Sequence, residues 1–120
     1  MTPTYLRWRP IHLIASGVLG IIAGVHGALT WVLYSSWTPD AVWFLGTGLG
    51  LLLLSALNIS HIGVEPCRLP TARLVRAANW LFLLFGIAAT VAVPEPQAFV
   101  LLACMCAQAV ASHWTLPGPA

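Results

Sequence analysis

Charge is what this sequence has least of. Its 120 residues hold five arginines, no lysine and three acidic residues, so 7% are charged while 59% are hydrophobic. A soluble chain cannot cover that much apolar surface with so few charges, and the expected solvent is lipid. Three cysteines, Cys67, Cys104 and Cys106, are too few and too oddly placed for a disulfide framework. Cys104 and Cys106 diverge by about 200° on a helix, which makes a poor metal chelate, and no metal site is expected. With no dense basic face, nucleic acid is excluded as a partner. No acidic residue lies inside any long apolar run, which argues against an exporter that works through a membrane-embedded carboxylate.

What fills the chain is four apolar stretches, about 11–34, 41–62, 74–93 and 98–114. A span needs roughly 20 mostly apolar residues to cross the hydrocarbon core. The first three stretches meet that length and the fourth is at the short end. They predict an all-α, single-domain membrane protein covering 1–120, with no separate soluble module. Arg7 and Arg9 precede the first stretch as in a signal peptide, but the run is too long for one and His26-Gly27-Ala28 is a poor cleavage site. It is therefore expected to remain as an uncleaved first span.

Arg68, Arg73 and Arg76 fall in or beside the connection between the second and third stretches, whereas Asp40 and Glu95 mark the other two connections. The positive-inside rule then places both termini and the middle connection in the cytoplasm. Short connections predict an up-down four-helix bundle, multi-pass in a bacterial inner membrane. The net charge of +2 comes from these arginines and suits anionic lipid headgroups. Pro39 with Asp40 marks the first outer turn and Pro94-Glu95-Pro96-Gln97 the last. Thr71 is the expected N-cap of the third helix, delayed by Pro66 and Pro70. Six tryptophans fall mostly near span ends, as an aromatic belt rather than a ligand cage.

At roughly 100° per residue, Gly17, Gly20, Gly24 and Gly27 share one stripe of the first helix, continued by Trp31, while Gly46 and Gly50 lie one turn apart on the second. Small residues at such spacing allow close helix packing, either within the chain or in a homo-oligomer. A second stripe carries His12, Ser16, Ala23, His26 and Thr30. Thr47, Ser55, Asn58 and His61 share a sector of the second helix, as do Arg76, Asn79, Gly86 and Thr90 on the third. Gln97, Cys104, Gln108 and Thr115 follow on the fourth. Polar groups in lipid need partners, so these faces should meet inside. Depth puts His12, Asn58, His61, Asn79 and Gln108 near the cytoplasmic leaflet, and His26 nearer the outer side.

Histidines in a membrane invite haem and proton-path readings. A bis-histidine haem needs ligands at matching depth: His61 matches His12, and nothing matches His26. The ligand or proton-path candidates are therefore His12, His26, Asn58, His61, Asn79 and Gln108, with no catalytic residue and no cofactor expected beyond the haem alternative.

His26 with Thr30, the run Ala41-Val42-Trp43-Phe44-Leu45-Gly46-Thr47-Gly48, Leu57-Asn58, Ala78-Asn79 and the Pro94-Glu95-Pro96-Gln97 turn together give the chain its overall character. In these features it resembles a loose group of small bacterial four-span inner-membrane proteins. The resemblance covers nearly the full length and implies topology but no activity. Three functions follow: a non-enzymatic accessory or interaction subunit of a larger membrane complex, a small-ligand or proton-linked module, and a haem- or quinone-binding electron carrier.

Overall fold

The computed structural model describes residues 3–62 and 69–116. Among them run four helices: α1 (Pro3–Leu33), α2 (Pro39–His61), α3 (Leu69–Ala92) and α4 (Pro96–Thr115). All four are long and apolar enough to cross a membrane. Glu65, Pro66, Cys67 and Arg68 lie outside the described residues.

Local chemistry sets the helix starts. Thr38 is extended (φ −93°, ψ 162°) and its hydroxyl oxygen accepts from the Ala41 N–H at 3.3 Å, so it caps α2. Pro39 takes the first helical position, where a missing N–H costs nothing, and Asp40 in the first turn suits the positive end of the helix dipole. Pro96 opens α4 in the same way after Glu95. These prolines therefore begin helices rather than simply marking turns. The same physics corrects the expectation for α3: Pro70 lies in its first turn, so Thr71 is inside the helix and does not cap it. α1 begins well before the apolar run, at Pro3. Its 31 residues span about 46 Å, so the turns carrying Arg7 and Arg9 extend beyond a ~30 Å hydrocarbon core.

α1 packs along both α2 and α4, α3 packs along α4, and the contact between α2 and α3 is the slightest. The start of α1 lies beside the ends of α2 and α4, where His12 meets Asn58 and Thr115. Leu19 and Ala23 of α1, Leu51 and Leu54 of α2, Leu83 of α3 and Met105 and Ala109 of α4 form the central apolar cluster. Larger apolar side chains face outward, Ile21 and Leu53 among them. Polar and small side chains buried around that cluster, with many bulky aliphatics outside, is the distribution expected where lipid supplies no hydrophobic drive between helices.

The glycine stripe of α1 divides. A Cβ on Gly20 would stand 2.7 Å from the Ser55 hydroxyl and one on Gly27 3.9 Å from Leu45, so these two positions face α2. At Gly17 and Gly24 a Cβ would meet nothing within 4 Å, and the same is true of Gly46. Gly50 faces the Phe82 ring of α3 at 3.5 Å. The closest backbone approach is at Gly48, absent from the expected stripe. A Cβ there would lie 3.0 Å from the Gly27 nitrogen and 3.2 Å from the Ala23 carbonyl oxygen.

Backbone cannot yield as a side-chain tip can. Gly48→Leu should destabilise the protein by about 3 kcal/mol or abolish folding, whereas Gly24→Leu should melt in detergent like the wild type. Equal melting of the two variants would remove Gly48 as the point of close approach.

Candidate functional site

The polar faces meet in a seam whose centre is His12, a ring with 0% exposure. It sits on α1 one turn before Ser16. Nε2 lies 2.7 Å from Asn58 Oδ1 on α2, and Nδ1 lies 2.6 Å from the Thr115 hydroxyl on α4. Asn58 also donates to the Leu54 carbonyl at 2.8 Å, and it exchanges two 2.8 Å amide bonds with Asn79 of α3. One three-dimensional knot thus joins all four helices.

The backbone fixes the proton positions in this knot. The Leu54 carbonyl only accepts, so the Asn58 NH₂ must face it and Oδ1 must face His12. Nε2 therefore carries a hydrogen and donates it to Asn58. In the neutral ring the Nδ1 lone pair then accepts from Thr115, whose single hydroxyl hydrogen has a second acceptor, the Ala111 carbonyl, at 3.0 Å. Both ring nitrogens are engaged by protein, so neither is presented to a haem iron in this arrangement.

One turn deeper the seam continues through Ser16 and Gln108, both fully buried. Gln108 Nε2 donates to the Ser16 hydroxyl at 2.8 Å, and the Ser55 hydroxyl donates to the Ser16 carbonyl at 2.6 Å. Gln108 Oε1 is buried without a partner. Turning the amide over would let Ser16 donate to Oε1, but would leave the NH₂ group unpaired instead. In either orientation one end of this carboxamide is unsatisfied, a state that costs about 1–3 kcal/mol in a dry interior.

The other sequence candidates stand apart. His61 Nδ1 lies 2.8 Å from the Leu57 carbonyl of its own helix, so His61 turns away from the knot. His26 stacks on Phe44 with ring centroids 3.6 Å apart. His113 accepts from the Trp80 indole N–H at 3.0 Å. Cys104 is half-buried and Cys106 exposed, both as free thiols. Among the described residues, no group of three or more His, Cys, Asp or Glu converges on a possible metal site.

Thr115 and Ser16 were visible as members of polar stripes, but only the fold makes them partners of His12 and Gln108. Arg76 has a further role that its charge alone does not reveal. Its guanidinium donates to the Ser112 and Leu116 carbonyls at 3.1 and 2.5 Å, satisfying the open C-terminal end of α4. An arginine on the third helix one turn before Asn79 was the available signal.

Asn58 has bonds to three residues and Asn79 to one, which orders their mutations. Asn58→Leu should destabilise the protein more than Asn79→Leu, with losses of about 1–3 kcal/mol for each group left unpaired. The double variant should lose less than the sum of the two. Unfolding in detergent reads all three, and strict additivity would mean that the amide pair is not formed. Comparison with protein families, with curated proteins and with solved structures finds no match for this chain.

Proposed function

We propose that the protein is a non-enzymatic accessory subunit of a bacterial inner-membrane assembly. Its four helices run alternately up and down, with both termini and the middle connection in the cytoplasm. The observation that carries this reading is the closed bonding of the knot around His12. His12, Asn58 and Asn79 are 0–1% exposed and direct their polar atoms at one another and at helix backbone. Such a knot fixes the relation of the helices and leaves the outer surface for contact. On that surface Gly17 and Gly24 leave open space along one side of α1, enough for a neighbouring helix to come close.

The charge pattern supports the orientation. Arg7 and Arg9 lie near the start of α1 and Arg73 and Arg76 near the start of α3, while Asp40 and Glu95 lie at the starts of α2 and α4. A second reading, a module that admits a small polar ligand or a proton, is favoured by one observation, the unpartnered Gln108 oxygen. If that oxygen is dry, Gln108→Leu should raise the melting temperature. If a guest or water serves it, the same change should lower it.

Two experiments test the main proposal. A membrane-impermeant thiol reagent should leave Cys67 unlabelled in intact cells and modify it once the membrane is opened; labelling from outside contradicts the orientation. Isolation from native membranes at natural expression level should bring the chain out in a larger assembly with other membrane proteins. Recovery as a lone monomer or only as a homo-oligomer contradicts the accessory role.

A further inference from the structure

The end of the bundle opposite the His12 knot gathers aromatic side chains that the sequence left spread along a belt. α1 ends at Leu33 and α2 begins at Pro39. The short turn between them is tied by the Tyr34 N–H to the Thr30 carbonyl and the Thr38 N–H to the Ser36 carbonyl. It swings Trp37 back against Trp31, so that the ring centroids are 5.1 Å apart and the planes meet at 88°. The two indoles form a corner. Beside it is a cleft of about 90 Å³ whose walls include Trp31, Tyr34, Ser35, Ser36, Trp37 and Ala41. Both tryptophans keep more than half of their surface open, 68% for Trp31 and 61% for Trp37.

Two independent features of this corner select a cation. The indole face carries the negative lobe of the ring quadrupole and is the best aromatic surface for an ammonium group. The one charged residue of the turn region is Asp40, next in sequence to the cleft residue Ala41, while the arginines belong to other segments. Asp40 is therefore the charge nearest to the cleft along the chain, and it is negative. Ser35 and Ser36 are exposed and line the same cleft, and a serine hydroxyl can donate to a phosphate ester. Where two spans end, the groups at hand are lipid headgroups.

We propose that the Trp31–Trp37 corner is a binding site for the ammonium end of a zwitterionic phospholipid headgroup, with the phosphate turned toward Ser35 and Ser36. The inference rests on the bilayer-spanning reading above, but it concerns a ligand and is tested by ligand chemistry. Topology remains a matter for Cys67 labelling, so failure of one leaves the other standing.

The test uses the full chain in a non-ionic detergent with 5-fluorotryptophan in place of tryptophan. The six ¹⁹F resonances are assigned by single Trp→Phe changes. Short-chain phosphatidylcholine, phosphatidylethanolamine and phosphatidylglycerol are added separately, with tetramethylammonium chloride as the free cation. The first two lipids should move the Trp31 and Trp37 signals and leave Trp8 and Trp114 in place; phosphatidylglycerol should not. Asp40→Asn, and Trp37→Leu read at Trp31, should each weaken the response about fivefold while keeping the wild-type helical content. A shift with tetramethylammonium alone supports recognition of the cation whatever molecule carries it. A shift with the zwitterionic lipids only supports recognition of the whole headgroup. Equal shifts with phosphatidylglycerol, a uniform response of all six tryptophans, or no response would overturn the site.

Discussion

Lipid offers no hydrogen bonds, and the rest of this structure depends on that constraint. In water a histidine, two asparagines and a glutamine on apolar helices would simply turn outward. Here each must find a partner inside the chain, because an unpaired polar group in hydrocarbon costs several kcal/mol. The four helices accordingly turn His12, Asn58, Asn79, Gln108 and Thr115 toward one another. The resulting knot at His12, Asn58, Asn79 and Thr115 supplies the direction and register that apolar packing against apolar lipid cannot.

The knot also explains an unevenness in the packing. α1 makes its close approach to α2 at Gly48, backbone against backbone, and lies along α4 as well. α2 and α3, by contrast, have little contact and are joined by the Asn58–Asn79 pair and by the Phe82 ring set against Gly50. The amide pair therefore matters most where packing contributes least. At the end of α4, Arg76 satisfies carbonyls that the helix leaves open, so a cation expected only to set orientation also closes the bundle beside the knot.

Sequence reasoning reaches this architecture unevenly, for physical reasons. Four apolar runs long enough to span a bilayer are legible because length and hydropathy are one-dimensional properties. Polar stripes are legible too, since helical geometry alone places His12 with Ser16 and Asn58 with Ser55. Which members of the stripes bond is decided by rotamers. His61 shares the sector of Asn58, yet its ring folds back onto the Leu57 carbonyl one turn earlier. Glycine spacing misses Gly48 and does not distinguish Gly20 from Gly24, because a glycine's role depends on what faces it. Pro70 reads as a break in a one-dimensional scan, whereas the first turn of α3 accommodates it. The approach of Trp37 to Trp31 depends on the path of a five-residue turn and has no periodic signature.

The central claim is that His12 is held by the protein on both sides of its ring. Nitrogen-15 NMR of the histidine side chains in lipid bicelles at neutral pH, with His26, His61 and His113 assigned by replacement, tests it most directly. A His12 ring protonated at Nε2 and unprotonated at Nδ1 is expected, with an Nε2–H that exchanges with water far more slowly than the ring N–H of exposed His113. A ring protonated at Nδ1 alone, or an Nε2–H exchanging as fast as the ring N–H of His113, would contradict it.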